Sequence, residues 1–152
     1  MSPADSRDSE ARRRELWELL GRLPRRKGVP PGRVIDREER SGYTLETLRL
    51  DLNDEEPVPA HLLLPRDGTP PYPAVVYNHA HGGDYQRGKR ELLEGNSYLQ
   101  DPPYAEVLTS RGIAVIAIDH WCFGERNRNS ELYLFKRMLW HGQVLLGMMV
   151  CD

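Results

Sequence analysis

Residues 74–84 read Ala-Val-Val-Tyr-Asn-His-Ala-His-Gly-Gly-Asp, so a short apolar run leads directly into a polar loop that contains two glycines. The first four residues are apolar without alternation, which is typical of a strand covered on both faces. Residues 113–118, Ile-Ala-Val-Ile-Ala-Ile, show the same pattern more strongly. We therefore predict two buried strands, each followed by a loop.

A helix is predicted between these two strands. Asp101 can cap it, Pro102 suits its first turn, and Gly112 can close it in the left-handed conformation. A strand, a helix and a second buried strand form a βαβ unit, which implies a parallel pair of strands. The connection over residues 80–101 is long, and α/β proteins place their sites in such loops at the carboxyl ends of parallel strands.

The flanking segments complete a mixed sheet. Apolar residues recur at every second position over residues 48–52 and again over 58–64, with a polar turn at 53–57, which predicts an antiparallel hairpin. Downstream, Ser130 can cap a single well-buried helix over residues 131–150. The predicted fold class is α/β, with an antiparallel hairpin joined to a parallel βαβ unit and helices on the faces of the sheet.

The first 40 residues are predicted to be an appendage to this sheet. We expect disorder over residues 1–8, an amphipathic helix over 10–20, and a linker or covering loop over 24–40. The predicted organisation is a helical extension and linker over residues 1–40 and a sheet domain over 41–152.

Composition excludes several classes of protein. The chain has 152 residues, is 39% hydrophobic and has a formal net charge of −2. It has no run of 18 apolar residues that would predict a membrane span. Its densest basic point, Arg25-Arg26-Lys27, lacks the interleaved aromatics of a nucleic-acid site. Cys122 and Cys151 form no C-x-x-C motif and no signal peptide is evident, so we expect a reducing, cytoplasmic location.

The loop after the first buried strand is the stronger candidate site. Glycines at 82 and 83 let the backbone turn sharply and leave N–H groups free. Such fixed donors can stabilise the oxyanion that develops during acyl transfer. We predict an oxyanion loop formed by His81, Gly82 and Gly83.

Two other interpretations of this loop remain open from the residues alone. It could be an ordinary glycine turn in which His79 and His81 pack or cap. It could also be a metal site with His79, His81 and Asp84 as ligands, although the spacing is unusual for a metallo-hydrolase and a third histidine is missing.

The loop over residues 119–126 follows the second buried strand. Cys122 lacks the small flanking residues of a nucleophile elbow, so we expect a packing thiol. Asp119 and Arg126 are expected to hold the loop through a charge-assisted hydrogen bond. No serine in the chain lies in a G-x-S-x-G motif.

The order of these motifs resembles the N-terminal half of an α/β-hydrolase, and more narrowly the dienelactone hydrolase and acetyl xylan esterase-like branch. Residues 42–65 are similar to the opening strands of that branch, and residues 79–83 followed by Gly88-Lys89 are similar to its oxyanion loop. Phe123-Gly124-Glu125-Arg126 is similar to its post-strand turn, and residues 146–152 to the helix that precedes its nucleophile strand.

The resemblance implies hydrolysis of a small-molecule carboxylic ester through a serine acyl-enzyme, without metal or cofactor. It favours the amides of His81 and Gly82 as oxyanion donors, and Tyr85 and Trp121 as parts of the acyl pocket. The nucleophile, acid and histidine of that family follow later in the chain, so we expect residues 1–152 to be inactive alone. The alternative is a non-catalytic or split half that binds a partner chain or itself through an open sheet edge at residues 74–77.

Overall fold

The computed structural model describes residues 3–24 and 28–152. The basic triplet Arg25-Arg26-Lys27 and the first two residues of the chain therefore lie outside the described residues. In chain order the elements are α1 (Pro3–Leu19), β1 (Gly32–Glu39), β2 (Tyr43–Leu50), β3 (Val58–Pro65), β4 (Ala74–Tyr77), α2 (Glu91–Glu94), α3 (Tyr104–Thr109), β5 (Ala114–Ile118), α4 (Glu131–Trp140) and α5 (Leu145–Cys151).

The strands form one mixed sheet in the order β1-β2-β3-β5-β4. Strands β2 and β3 pair antiparallel, with Leu50 opposite Val58, which confirms the predicted hairpin. Strands β4 and β5 pair parallel, with Ala74 opposite Ala114, which confirms the predicted parallel pair. The fold is therefore mixed α/β, with helices beside a five-stranded sheet.

Strand β1 corrects the expectation of a linker over residues 24–40. It pairs antiparallel with β2, with a bulge between Val34 and Asp36. All eight of its residues are exposed. Because neither face of the strand is buried, its sequence shows no alternation of apolar and polar residues from which a strand could be predicted. The predicted boundary between 1–40 and 41–152 stays a prediction, although β1 extends the same sheet.

Strand β4 is an edge strand, which corrects the expectation that it is covered on both faces. Val76 is 68% exposed. Pro73 C=O accepts a hydrogen bond from Ala114 N–H. Because the backbone groups of successive strand residues point to opposite sides, those of Ala74 and Val76 point away from β5. No strand among the described residues pairs with this side of β4, and binding of a partner there stays a prediction.

The two faces of the sheet carry separate apolar clusters. On one face, Leu45, Leu63 and Val115 pack with Leu92 and Ala105 from the α2 and α3 segment. The opposite face carries a second cluster of four buried residues: Leu48, Val58, Ala60 and Ile118. A third cluster beside the sheet joins residues 121–123 to α4 and α5.

Several helix bounds differ from the sequence-based expectations. Helix α1 begins at Pro3, within the stretch that we expected to be disordered, and proline suits a first helical turn. Its residues Leu16 and Leu19 are exposed, whereas Leu20 just beyond it is buried. Helix α3 begins at Tyr104 with Pro103 as its N-cap, so Asp101 is not the cap.

The predicted single helix over residues 131–150 is two helices. Ser130 caps α4 as predicted, because its hydroxyl accepts from Tyr133 N–H. Gly142 then adopts a φ of +70° and separates α4 from α5. Trp140 is 88% exposed, so this segment is also less buried than expected.

No helix within residues 3–24 and 28–152 combines the length and the apolar character that crossing a membrane requires.

Candidate active site

The loops that follow β4 and β5 meet beside the carboxyl ends of these two strands. The ring centroids of His79 and His120 are 5.0 Å apart, and those of His81 and Phe123 are 4.8 Å apart. His120 N–H also donates to His79 Nε2 at 3.4 Å. The parallel pairing of β4 and β5 thus brings together the two loops that the sequence singled out.

The loop after β4 turns tightly at His81. Gly82 N–H donates to Ala80 C=O at 2.7 Å, which closes a three-residue turn centred on His81. His81 has a φ of +53°, an uncommon conformation for a residue with a side chain. Such strain persists only where surrounding contacts enforce it, and it clusters at functional sites.

The four amides of residues 80–83 differ in their hydrogen bonding. Ala80 N–H donates to Glu91 Oε1 at 2.7 Å, and Gly83 N–H donates to His81 Nδ1 at 2.9 Å. Since Gly82 N–H is also engaged, His81 N–H is the one amide of these four with no acceptor among the described residues. The assignment of His81, Gly82 and Gly83 as an oxyanion loop stays a prediction. Within that loop, His81 N–H is the amide available to donate.

Tyr85 and Trp121, the predicted acyl-pocket residues, lie in different surroundings. The Tyr85 ring stacks on Phe123 at 4.8 Å, and its hydroxyl donates to Glu131 at 2.7 Å. Trp121 is buried, with the Arg126 guanidinium 4.2 Å from its ring centroid. Contact of either residue with a substrate stays a prediction.

A buried ionic network joins the two loops. Lys89 Nζ lies 2.8 Å from Asp119 Oδ2 and 2.7 Å from Glu125 Oε1. The Asp119 carboxylate also accepts from Lys89 N–H at 2.7 Å and Glu125 N–H at 3.1 Å. Burial alone would raise the pKa of Glu125, but hydrogen bonds from Arg49 and Lys89 lower it to about 2. The network therefore favours the charged form of the Glu125 carboxylate and fixes one loop against the other.

Arg126 holds the second loop, but its partner differs from the expected one. Its Nη1 donates to the backbone carbonyl of Asp119 at 3.0 Å and not to the Asp119 carboxylate. Its ionic partners are Glu56 and Asp152, each at 2.6 Å. The sequence identified the residue and its holding role, but the ionic contacts link distant segments that no local pattern connects.

The buried histidines favour the neutral state. Burial, and to a lesser extent the nearby His120, lower the pKa of His79 to about 4. Burial also lowers the pKa of His120, and Arg126 adds to that effect. Neutral rings can pack against each other and against Phe123 without an unpaired buried charge.

The histidines of the first loop do not assemble a ligand set. Within residues 3–24 and 28–152, no group of three or more His, Cys, Asp or Glu side chains is arranged to hold a metal ion. His81 Nδ1 accepts from Gly83 N–H, and the Asp84 carboxylate contacts Arg87 and Gln86 N–H. The interpretation of His79 and His81 as metal ligands gains no geometric support.

Cys122 is a buried thiol, 1% exposed, with a φ of +74°. Burial raises its pKa to about 11, and the negative charge of Glu131 contributes. A thiol that is protonated and inaccessible is a poor nucleophile, as expected. Both Cys122 and Cys151 are free and buried.

A cavity of about 680 Å³ leads toward this site from the second face of the sheet. Its walls include Val76, Ile116 and Ile118 from the strands, and Leu146 and Met149 from α5. Asn78 and His120, at the carboxyl ends of β4 and β5, also line it. The apolar cavity and the polar loops are therefore continuous.

Comparisons with known proteins show what the chain is similar to. It is 47% identical over 141 residues to the Bacillus subtilis (strain 168) protein named "Putative hydrolase YtaP", an alignment that covers 93% of this chain and 47% of that protein. A crystal structure titled as a "putative acetyl xylan esterase" from Bacteroides fragilis NCTC 9343 superposes with a TM-score of 0.74, at 20% identity over 99% of this chain and 42% of that one. No protein-family model matches. The chain thus has a hydrolase-like fold and spans about half the length of these relatives.

Proposed function

We propose that these 152 residues are part of a carboxylic ester hydrolase of the acetyl esterase or dienelactone hydrolase-like type, and that they supply its oxyanion loop. One observation carries the proposal: His81 N–H has no acceptor among the described residues and lies in a strained turn at the carboxyl end of β4. The similarity to a protein named as a hydrolase and to the fold of one named as an esterase supports it.

In the proposed reaction a serine oxygen attacks the ester carbonyl, and the carbonyl oxygen gains negative charge as the tetrahedral intermediate forms. His81 N–H donates to that oxygen. Collapse of the intermediate expels the alcohol and leaves an acyl-enzyme, which water hydrolyses in a second round. One donor of this kind typically contributes a factor of about 10²–10³ in kcat.

The remaining loop residues would support that donor. Gly82 and Gly83 have φ values of +49° and +88°, which allow the turn that exposes His81 N–H. Tyr85 would border the acyl group, and Trp121 would support the second loop from beneath Arg126. No cofactor or metal takes part in the proposal.

The nucleophile, acid and catalytic histidine are proposed to lie outside residues 1–152. No serine here lies in a G-x-S-x-G motif, and the buried Cys122 thiol cannot replace it. We therefore propose that the chain is inactive alone, and we keep the cytoplasmic location as a separate proposal.

The test compares two polypeptides on a chromogenic acetyl ester. One is the 152-residue chain, and the other includes any residues that the gene encodes after Asp152. We expect turnover only by the longer polypeptide, abolished by changing the serine of a G-x-S-x-G motif to alanine. Turnover by residues 1–152 alone, or turnover independent of such a serine, would contradict the proposal.

A second candidate function is partner binding by a split or non-catalytic half. The outward backbone groups of Ala74 and Val76 favour it, since an open strand edge pairs readily with another chain. The apolar cavity beside Val76 extends the same surface. Sedimentation of the pure chain at several concentrations tests it: association is expected, and a monomer at every concentration would contradict self-pairing.

A further inference from the structure

Glu91 lies beneath the proposed oxyanion loop and is 1% exposed. Its Oε1 accepts from Ala80 N–H at 2.7 Å and from Tyr77 OH at 2.9 Å. Its Oε2 accepts from Tyr98 OH at 3.2 Å and from Asn96 Nδ2 at 3.5 Å. A buried carboxylate is costly unless it is well supplied with donors, and this one has four.

These donors come from three separate segments. Tyr77 ends β4, Ala80 belongs to the loop, and Asn96 and Tyr98 follow α2. Glu91 itself begins α2, and none of these four bonds is needed to form that helix. The carboxylate therefore connects the strand, the loop and the following segment at one point.

Tyr98 completes the connection from the other side of the loop. A Cβ at Gly82 would overlap the Tyr98 ring, which therefore lies directly against the Gly82 backbone. Its hydroxyl is held by Glu91, so the position of the ring over Gly82 depends on the same carboxylate. Glu91 thus acts on the residues on both sides of His81.

We propose that Glu91 is a positioning residue that selects His81 N–H as the free donor, because it engages Ala80 N–H and holds Tyr98 against Gly82. The use of His81 N–H in catalysis rests on the proposed function. The effect of Glu91 on the conformation of the loop does not, and it can be measured without any activity. Without Glu91, Ala80 N–H loses its acceptor and the turn at His81 loses two of its constraints.

The test uses amide NMR of the 152-residue chain, with the resonances of Ala80, His81 and Gly82 assigned. In Glu91→Ala we expect the Ala80 amide proton to shift upfield and to exchange with solvent about tenfold faster or more, with accompanying shifts at His81 and Gly82. In Glu91→Gln the side-chain oxygen still accepts from Ala80 N–H, so we expect near-native shift and exchange at Ala80, whereas the NH2 that replaces Oε2 cannot accept from Tyr98 OH, so we expect a shift at Gly82. Glu94→Ala, an exposed change on the same helix, is the matched control and is expected to leave all three amides unchanged.

Unchanged Ala80 and His81 resonances in Glu91→Ala would overturn the inference, and so would a disturbance of the Ala80 amide by Glu91→Gln equal to that by Glu91→Ala. If Glu91→Ala does not fold, Tyr98→Phe decides, because it removes one donor and keeps the ring. We expect the Gly82 and His81 amides to shift in Tyr98→Phe, and unchanged shifts would overturn the inference. An inactive longer polypeptide would contradict the proposed function while leaving these NMR outcomes unaffected, so the two failures are distinguishable.

Discussion

Lys89 Nζ lies 2.8 Å from Asp119 Oδ2, and both side chains are almost completely buried. Lys89 follows the loop after β4, whereas Asp119 begins the loop after β5, so one ion pair joins the two segments of the candidate site. A buried pair of this kind is sensitive to the loss of either partner, and loss of Asp119 would leave Lys89 with only the half-exposed Glu125 as a counter-charge.

Asp119→Ala is expected to destabilise the fold by about 3–5 kcal/mol, since it removes the acceptor of Lys89 Nζ and of two backbone amides. Urea unfolding followed by far-UV circular dichroism measures the change. Arg90→Ala breaks an exposed ion pair with Glu94 and is the control, expected to cost less than about 1 kcal/mol. Equal effects of the two changes would contradict a structural role for the buried pair.

Gly88→Ala is expected to destabilise the fold much more than Gly112→Ala. Both glycines have positive φ values, +52° and +73°, so the conformational penalty is shared. A Cβ at Gly88 would overlap the Asp119 carboxylate, whereas nothing lies within 4 Å of the corresponding position at Gly112. Comparison of the two unfolding midpoints isolates the packing effect, and similar midpoints would show that the Asp119 carboxylate moves aside freely.

Stability is expected to fall as the pH decreases from about 6.5 toward 4. The pKa of His79 is lowered to about 4 in the folded chain, so the unfolded chain binds protons more readily over that interval. The same sign applies to His61, whose pKa burial also lowers to about 4. Glu125, with a pKa lowered to about 2, adds a separate loss only below about 4.5.

Urea midpoints at pH 7.5, 6.0, 5.0 and 4.5 test this pH dependence. His79→Gln is expected to flatten the dependence, and His141→Gln, at an exposed position, is the matched control. A variant at His79 with the same slope as the unchanged chain would contradict a buried, neutral histidine there.

The thiol of Cys122 is expected to react with a disulfide reagent at least about 100-fold more slowly than free cysteine at pH 8, because its pKa is raised to about 11 and it is buried. Thiol titration with and without denaturant measures this. Rapid labelling of the native chain at Cys122 would restore it as a candidate nucleophile.

Val76→Lys is expected to suppress any self-association through the open edge of β4, since an exposed lysine on an edge strand opposes pairing. Sedimentation velocity at matched concentrations gives the measurement. Val29→Lys changes an exposed residue outside the strands and serves as the control. Equal association of both variants would place the contact elsewhere.

The parts of the fold that were predictable are those in which one face of an element is buried. Leu48 and Leu50 alternate with polar neighbours, so the β2–β3 hairpin could be predicted. Strand β1 was not predictable in this way, because its residues are exposed on both faces and only backbone pairing defines it. The break at Gly142 had a signal, a glycine within an apolar run, which the prediction of one long helix overlooked.

The sequence was sufficient to predict which loop forms the candidate site. The glycines at 82 and 83 indicated unpaired amides, but sequence alone could not show which amides find acceptors. That outcome depends on Glu91, which is 11 residues away from Ala80 in a polar segment with no local pattern to distinguish it. Lys89 was likewise given no role from the residues, because its partners Asp119 and Glu125 are more than 29 residues distant.

Whether His81 N–H is the oxyanion donor is tested by removing that N–H group without changing the His81 side chain. An ester linkage in place of the Ala80–His81 peptide bond, made by chemical ligation in the longer polypeptide, achieves this. We expect kcat to fall by a factor of about 10²–10³ with little change in KM, and to stay near normal for the same replacement at Gly83, whose N–H is already engaged. An unchanged kcat after loss of His81 N–H would show that this amide is not the oxyanion donor.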